Sequence, residues 1–239
     1  AICSSMDAII CPANIIAQTL QQHWLGRTRC HAIPWQAPYP LITGERVRST
    51  TDVNLFLPLW DTQVYRVQRA AAQLVPALLE SYSNVNIEIG LGRRCTKWCL
   101  DFMAELQANY AHRCKIWRSP PNDVRIRIME RQDLLIWPAE YEGLCWPASM
   151  AVSMGVPVVA WDIYPHNEFL FNNRNSVLVP CELHTNKFGM PIAQGDYTIF
   201  YNYICRTLND RLRHLQRTVN AGVEERIKRF EHLWSRLLT

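Results

Sequence analysis

The residues best suited to chemistry lie in one stretch, 133–157, DLLIWPAEYEGLCWPASMAVSMGVP. Glu142 follows a short apolar run and precedes a run of small residues. A carboxylate at a strand-to-helix turn can accept hydrogen bonds from neighbouring hydroxyls, the chemistry of polyol recognition. The same position also suits a solvated loop acid or a helix N-terminal charge. Gly143 allows close backbone approach to a ligand. The amides of Leu144, Cys145 and Trp146 then lead into a helix N-terminus, where an anion such as a diphosphate is held. Pro147 fits the first helical turn, where its missing N–H costs nothing. Trp146 either walls a pocket or packs, and Ser149 offers one hydroxyl to a ligand.

A second set is cationic. Arg93 and Arg94, with Lys97, follow Gly90-Leu91-Gly92. They could pair with a bound anion, or they are solvated loop charges. The full glycine-rich dinucleotide fingerprint is absent. Arg118 closes the apolar segment CKIWR, and Glu168 and Asp162 lie in the loop after VPVVAW. His166 reads as part of an exposed loop. No Ser-His-Asp or Cys-His arrangement stands out, and no Cys/His spacing matches a zinc site.

Strand and helix patterns alternate from 53 to 180. VNLFLPLW (53–60) reads as a strand buried on both faces. Further strands are expected at 84–90, 114–118, 134–138 and 156–161. Helices are expected at 62–82, bent or restarted at Pro76, and at 95–110 and 123–132, with the motif helix after Glu142. Residues 181–195, with Gly189, Pro191 and Gly195, read as loop, followed by helices at 196–209 and 210–238. This rhythm predicts an α/β fold: a Rossmann-like, doubly wound parallel sheet with C-terminal helices. Ligands bind such sheets beyond the carboxyl ends of the strands. Before residue 53, a strand (7–11), a helix (13–25) and a strand (29–35) precede a polar loop at 36–52. The expected division is therefore 1–52 and 53–239.

Composition narrows the function classes. The 239 residues are 49% hydrophobic and 10% aromatic, as in globular proteins. No apolar run reaches the roughly 18–20 residues of a membrane span. The nine cysteines are scattered without a CxxC pair, which points to reduced thiols and a cytoplasmic protein. The net charge of +4 is modest. Its basic residues gather late, from Arg211 to Arg229, on a solvated helix face or a patch for peripheral membrane contact or an anionic acceptor. Nucleic-acid binding lacks support, because no aromatics interleave with those charges.

The central stretch resembles the donor-site segment of GT-B fold glycosyltransferases of the retaining, family 4-like group. Their pattern runs Glu-Gly-aromatic-Gly-x-Pro, then a second glutamate inside Glu-Ala-x-Ala-x-Gly-x-Pro-Val-Val. Here it appears as Glu142-Gly143-Leu144-Cys145-Trp146-Pro147, then Ser153-Met154-Gly155-Val156-Pro157-Val158-Val159. Asn175 to Val179 matches the family's Asn-Gly-x-Leu-Val, with Ser176 for glycine. The order of elements resembles the family over about 7–239; only 133–179 is motif-specific.

This resemblance implies a C-terminal, donor-binding domain, with 1–52 as the remnant of an acceptor-side domain and the crossover. The implied activity is hexosyltransferase-like, moving a sugar from a nucleotide-diphosphate sugar to a hydroxyl of a sugar, lipid or protein acceptor. No cofactor or metal is implied, because helix-end amides and cations carry the charge work. Glu142 would face the donor sugar. Arg118 would lie beside the nucleobase and Glu168 would be a further donor contact.

Two positions depart from the family. Met150 stands where the second glutamate holds the ribose, and a thioether cannot take that role. The family's Gly-Arg and Lys-Gly after the first strand are missing from Trp60 to Arg66. The size leaves room for only half of a two-domain enzyme, so the acceptor half is expected on a missing N-terminal domain or a partner chain. The competing expectation is a non-catalytic, glycosyltransferase-like module that binds carbohydrate or protein.

Overall fold

The computed structural model describes residues 8–11, 14–23, 29–32, 51–59, 64–93, 95–141, 145–164, 166–185, 191–216, 218, 228, 231–232 and 235. Strands β1 (Ala8–Cys11) and β2 (Arg29–Ala32) pair in parallel through helix α1 (Asn14–His23), one βαβ turn. The chain then alternates through β3 (Val53–Leu59), α2 (Val64–Ser81), β4 (Val85–Leu91), α3 (Lys97–Asn109) and β5 (Cys114–Arg118). It continues with α4 (Asn122–Glu130), β6 (Leu134–Trp137), α5 (Trp146–Ser153), β7 (Val158–Trp161), the short α6 (His166–Phe169) and β8 (Ser176–Val179).

Strands β3 to β8 form one six-stranded parallel sheet in the order β5-β4-β3-β6-β7-β8. This is the doubly wound Rossmann order, which reverses between β3 and β6. Alternation along the strands sends side chains to two cores. Leu55, Leu57 and Leu59 join α2, α3 and the C-terminal helix on one face. Phe56, Leu135 and Val158 join α4 and α5 on the other.

Proline marks the reversal point. Asn54 faces β6: its C=O accepts the Asp133 N–H at 2.7 Å. Parity puts Pro58 on the same edge of β3. The β3–β6 ladder ends at Phe56 opposite Leu135, whereas β3 pairs with β4 to Leu59. Pro58, with no N–H to give, therefore sits where β3 and β6 have already separated. Asp133 works at the opposite end of the sheet. Its carboxylate accepts the Asn54 N–H at 2.8 Å and the Gln216 side-chain amide at 3.2 Å, tying β3 and β6 to the C-terminal helical segment.

Three sequence expectations change. Residues 181–195 are not simply loop: β9 (Glu182–Thr185) and β10 (Pro191–Gln194) form an antiparallel pair. Their turn-rich flanks masked two strands of four residues each, too short for a period-2 signal. Helix α2 passes through Pro76 without a second start. Helix α7 (Tyr197–Arg206) does not stop near 209; it runs on through a π-helical turn, Thr207–Arg211. There the buried Thr207 hydroxyl donates to the Tyr203 carbonyl at 2.7 Å, the side-chain competition that loosens helical bonding. The expected terminal helix, with Phe230 and Trp234, lies largely outside the described residues.

Candidate functional site

Sheets of this kind hold ligands in the crevice at the point where strand order reverses; here that point lies between β3 and β6, whose ladder ends at Phe56 and Leu135, and α5 follows β6. Cys145 precedes α5 in the left-handed conformation, at φ 47 and ψ 48. Non-glycine residues enter that region at a cost, and glycine is what the resembled pattern has there. Pro147 lies in the first turn, where the free amides need no proline N–H. At the other end, Gly155 (φ 72) closes the helix. Its N–H reaches the Val152 carbonyl at 3.2 Å, and the Val156 N–H reaches Ala151 at 2.8 Å. This is a Schellman stop.

Helix α5 is apolar all round and buried from Pro147 to Ser153. Only its N-terminal end, where Trp146 is half-buried, leads toward the crevice. Ser149 is 4% exposed and Met150 is 1% exposed. Met150 belongs to the apolar cluster that includes Phe56, Leu135 and Trp137. Glu142, Gly143 and Leu144 lie outside the described residues, as does Arg94.

Two of the expected cations lie at the same edge of the sheet, two and three strands from β6. Arg93 and Arg118 are exposed at the ends of β4 and β5, where Leu91 pairs with Arg118. The turn carrying Arg93 leans on β3, because the Gly92 N–H donates to the Leu59 carbonyl at 3.3 Å. Ser119, which follows Arg118, is held at φ 42 with its N–H on the Leu91 carbonyl at 2.9 Å. At the usual strand spacing, β6 lies about 10 Å from β4 and about 14 Å from β5. One elongated anionic ligand could therefore touch α5 at one end and the arginines at the other.

His166 is buried, not exposed as its loop position suggested. Its Nδ1–H donates to the Trp161 carbonyl at 2.9 Å. Burial pushes its pKa down from 6.5 to about 4, so the ring is neutral at pH 7. It is a structural group at the end of β7. Glu168 is half-buried two residues further along α6, and Asp162 is exposed and accepts from Asn167 at 3.1 Å.

Sequence reasoning missed the residues that hold the β6–α5 loop. The Glu140 carbonyl accepts the Ala193 N–H from β10 at 2.6 Å. The Glu140 carboxylate accepts the Tyr197 hydroxyl at 2.9 Å. These partners lie more than fifty residues away, and no local spacing announces them. Tyr141 and Tyr164, about two-fifths exposed, stand at the ends of β6 and β7.

The eight described cysteines are free thiols. Among the described residues no group of three His, Cys, Asp or Glu side chains is placed to hold a metal ion. None of their helices is long and apolar enough to cross a membrane.

No protein-family model matches the sequence, and no curated protein matches it. Solved structures do. Staphylococcus aureus TarM, in complex with fondaparinux, α-GlcNAc-glycerol and UDP, aligns at a TM-score of 0.70 and 14% identity, over 97% of this chain and 44% of TarM. The pneumococcal O-GlcNAc transferase GtfA, in complex with UDP and GlcNAc, gives 0.66 and 14%, over 97% and 44%. Sucrose-phosphate synthase from Thermosynechococcus elongatus gives 0.66 and 16%, over 99% and 58%. At these identities the likeness is one of fold, the GT-B glycosyltransferase architecture expected from residues 133–179. The chain spans roughly half the length of the chains it matches.

Proposed function

We propose that this chain is the donor-binding part of a retaining GT-B glycosyltransferase. It would hold a nucleotide-diphosphate sugar while the sugar passes to an acceptor hydroxyl supplied from another domain or partner chain. What supports this reading is the reversal of strand order between β3 and β6, with α5 following β6 and the exposed Arg93 and Arg118 at the ends of β4 and β5. The α5 amides and the arginines are suited to the charge that develops on a leaving diphosphate. Glu142 takes the sugar hydroxyls in this reading, Gly143 to Trp146 cradle the diphosphate, and Arg94 joins the other cations. Arg118 lies toward the base. Ser149 and Glu168 are secondary contacts. Solved proteins of this fold were crystallised with UDP, which makes UDP the first ligand to try. Titration calorimetry with UDP, GDP and their glucose conjugates tests the reading. Micromolar to millimolar binding of one nucleotide is expected, and heat from none of them refutes it.

One observation favours a second reading, a glycosyltransferase-like module that binds carbohydrate or protein without catalysis. Met150, at the position of the family's ribose-binding glutamate, is enclosed in the apolar core. Binding of a free sugar or glycan with no nucleotide binding would support this alternative.

A further inference from the structure

We infer that Tyr197 and Glu140 are positioning residues for the donor site, through a strap that the β9–β10 pair and α7 lay across the β6–α5 loop. The inference rests on the donor-site reading above, since that loop leads into α5.

The strap is built from the core outward. Trp161 ends β7 and is fully buried. Phe200 packs edge-on against it at 4.6 Å between ring centroids, and Tyr197 is tilted against it at 5.9 Å. Gly195 lies flat on the same indole: a Cβ there would fall 2.2 Å from Cη2 of Trp161. No other residue permits that approach. Asp196 then caps α7, accepting the Thr198 N–H at 2.7 Å. Within three residues the chain is fixed against the core and started as a helix, and Tyr197 is the first residue of that helix.

From that anchored place the Tyr197 hydroxyl donates to the Glu140 carboxylate at 2.9 Å. Ala193, on β10, donates its N–H to the Glu140 carbonyl at 2.6 Å. One residue of the β6–α5 loop is thus held at both side chain and backbone by a segment more than fifty positions later. The charge-assisted side-chain bond is the stronger kind. Neither bond is needed for the sheet ladder or for the α5 stop. Their effect is to fix the chain at Glu140, just after it leaves β6.

Tyr197→Phe removes one hydroxyl and leaves the ring on Trp161. Glu140→Gln keeps an acceptor for that hydroxyl, and Glu140→Ala removes it. Amide hydrogen exchange of peptides covering 138–146 should rise roughly tenfold or more in Tyr197→Phe and Glu140→Ala, the equivalent of one lost hydrogen bond to a charged group. It should stay near wild type in Glu140→Gln, with melting temperatures little changed in all three. On the ligand side, UDP and UDP-glucose, which both place a diphosphate against Gly143 to Trp146 in this reading, should each bind roughly tenfold more weakly to Tyr197→Phe. A merely structural role would move the melting temperature and leave both affinities as in wild type.

Unchanged exchange across 138–146 would overturn the strap. Raised exchange with unchanged affinity for both UDP and UDP-glucose would overturn the positioning role. If the wild type binds neither ligand, the donor reading fails and takes the positioning role with it, while the exchange result still reads the strap by itself.

Discussion

Replacing Met150 with glutamate restores the residue that the sequence pattern calls for, and the structure expects this to fail. Met150 is 1% exposed among Phe56, Leu135, Trp137 and their neighbours. A carboxyl there would be driven toward its neutral form, with a pKa above 7 as documented for buried glutamates. The unfolded chain holds glutamate near 4.3, so keeping a proton at pH 7 costs about 4 kcal/mol. The folded pKa is raised in this variant, so the penalty is absent below about 4.3 and grows with pH until the folded pKa is reached. Met150→Gln has the same size without the charge. Urea unfolding should therefore show Met150→Glu weaker than Met150→Gln by about 4 kcal/mol at pH 7, with the two converging near pH 4.5. UDP affinity should not improve in either. Equal stability of the two variants at pH 7, with a gain in UDP affinity for glutamate alone, would refute the reasoning. That result would mean the side chain at 150 turns outward to a ribose.

Two further outcomes follow from buried groups near the strand ends. His166 has a folded pKa of about 4, below the unfolded value. The stability tied to its neutral form is therefore complete above about 6.5 and falls away toward 4; between pH 7.5 and 5.0 the loss is about 2 kcal/mol. His166→Asn, which can still donate to the Trp161 carbonyl, should lose correspondingly less over that range in urea melts; parallel curves would remove His166 from the account. Gly195→Ala puts a methyl into the Trp161 indole and should cost about 3 kcal/mol in urea unfolding, as overpacking of a closed core does. A change below about 1 kcal/mol would mean the ring has room to move.

The fold was legible because its signals are local and repeated. Apolar runs such as 53–60 and 134–138 report strands buried on both faces, and helical stripes between them report crossovers. Gly155 could have been read as the end of the motif helix, since a stop of that kind needs a left-handed residue. The Cys145 conformation was foreshadowed only by comparison, because the resembled pattern has glycine at that place. Other features were not legible because their causes are distant in sequence. The β9–β10 pair shows no clear alternation, and its glycines and prolines read as turn. His166 looked exposed because its neighbours are polar, yet its ring is enclosed and fixed by the Trp161 carbonyl. Pro58 was readable in principle. A proline inside a central strand signals that one ladder stops there, and the edge it leaves unpaired is the one beside the crevice.

Pro58 and the strap act on the same opening from two sides. Strand β3 is held to β4 along its whole length but to β6 only as far as Phe56, so the sheet itself keeps the crevice apart. Strand β6 emerges on the far wall, and Glu140 is caught there by Tyr197 and Ala193. One wall is thus set by a missing N–H in the sheet and the other by two hydrogen bonds from outside it. The second wall is the adjustable one. A hydroxyl and a carboxylate can be changed singly without disturbing the Leu55, Leu57 and Ile89 core, whereas changes to β3 act on that core directly.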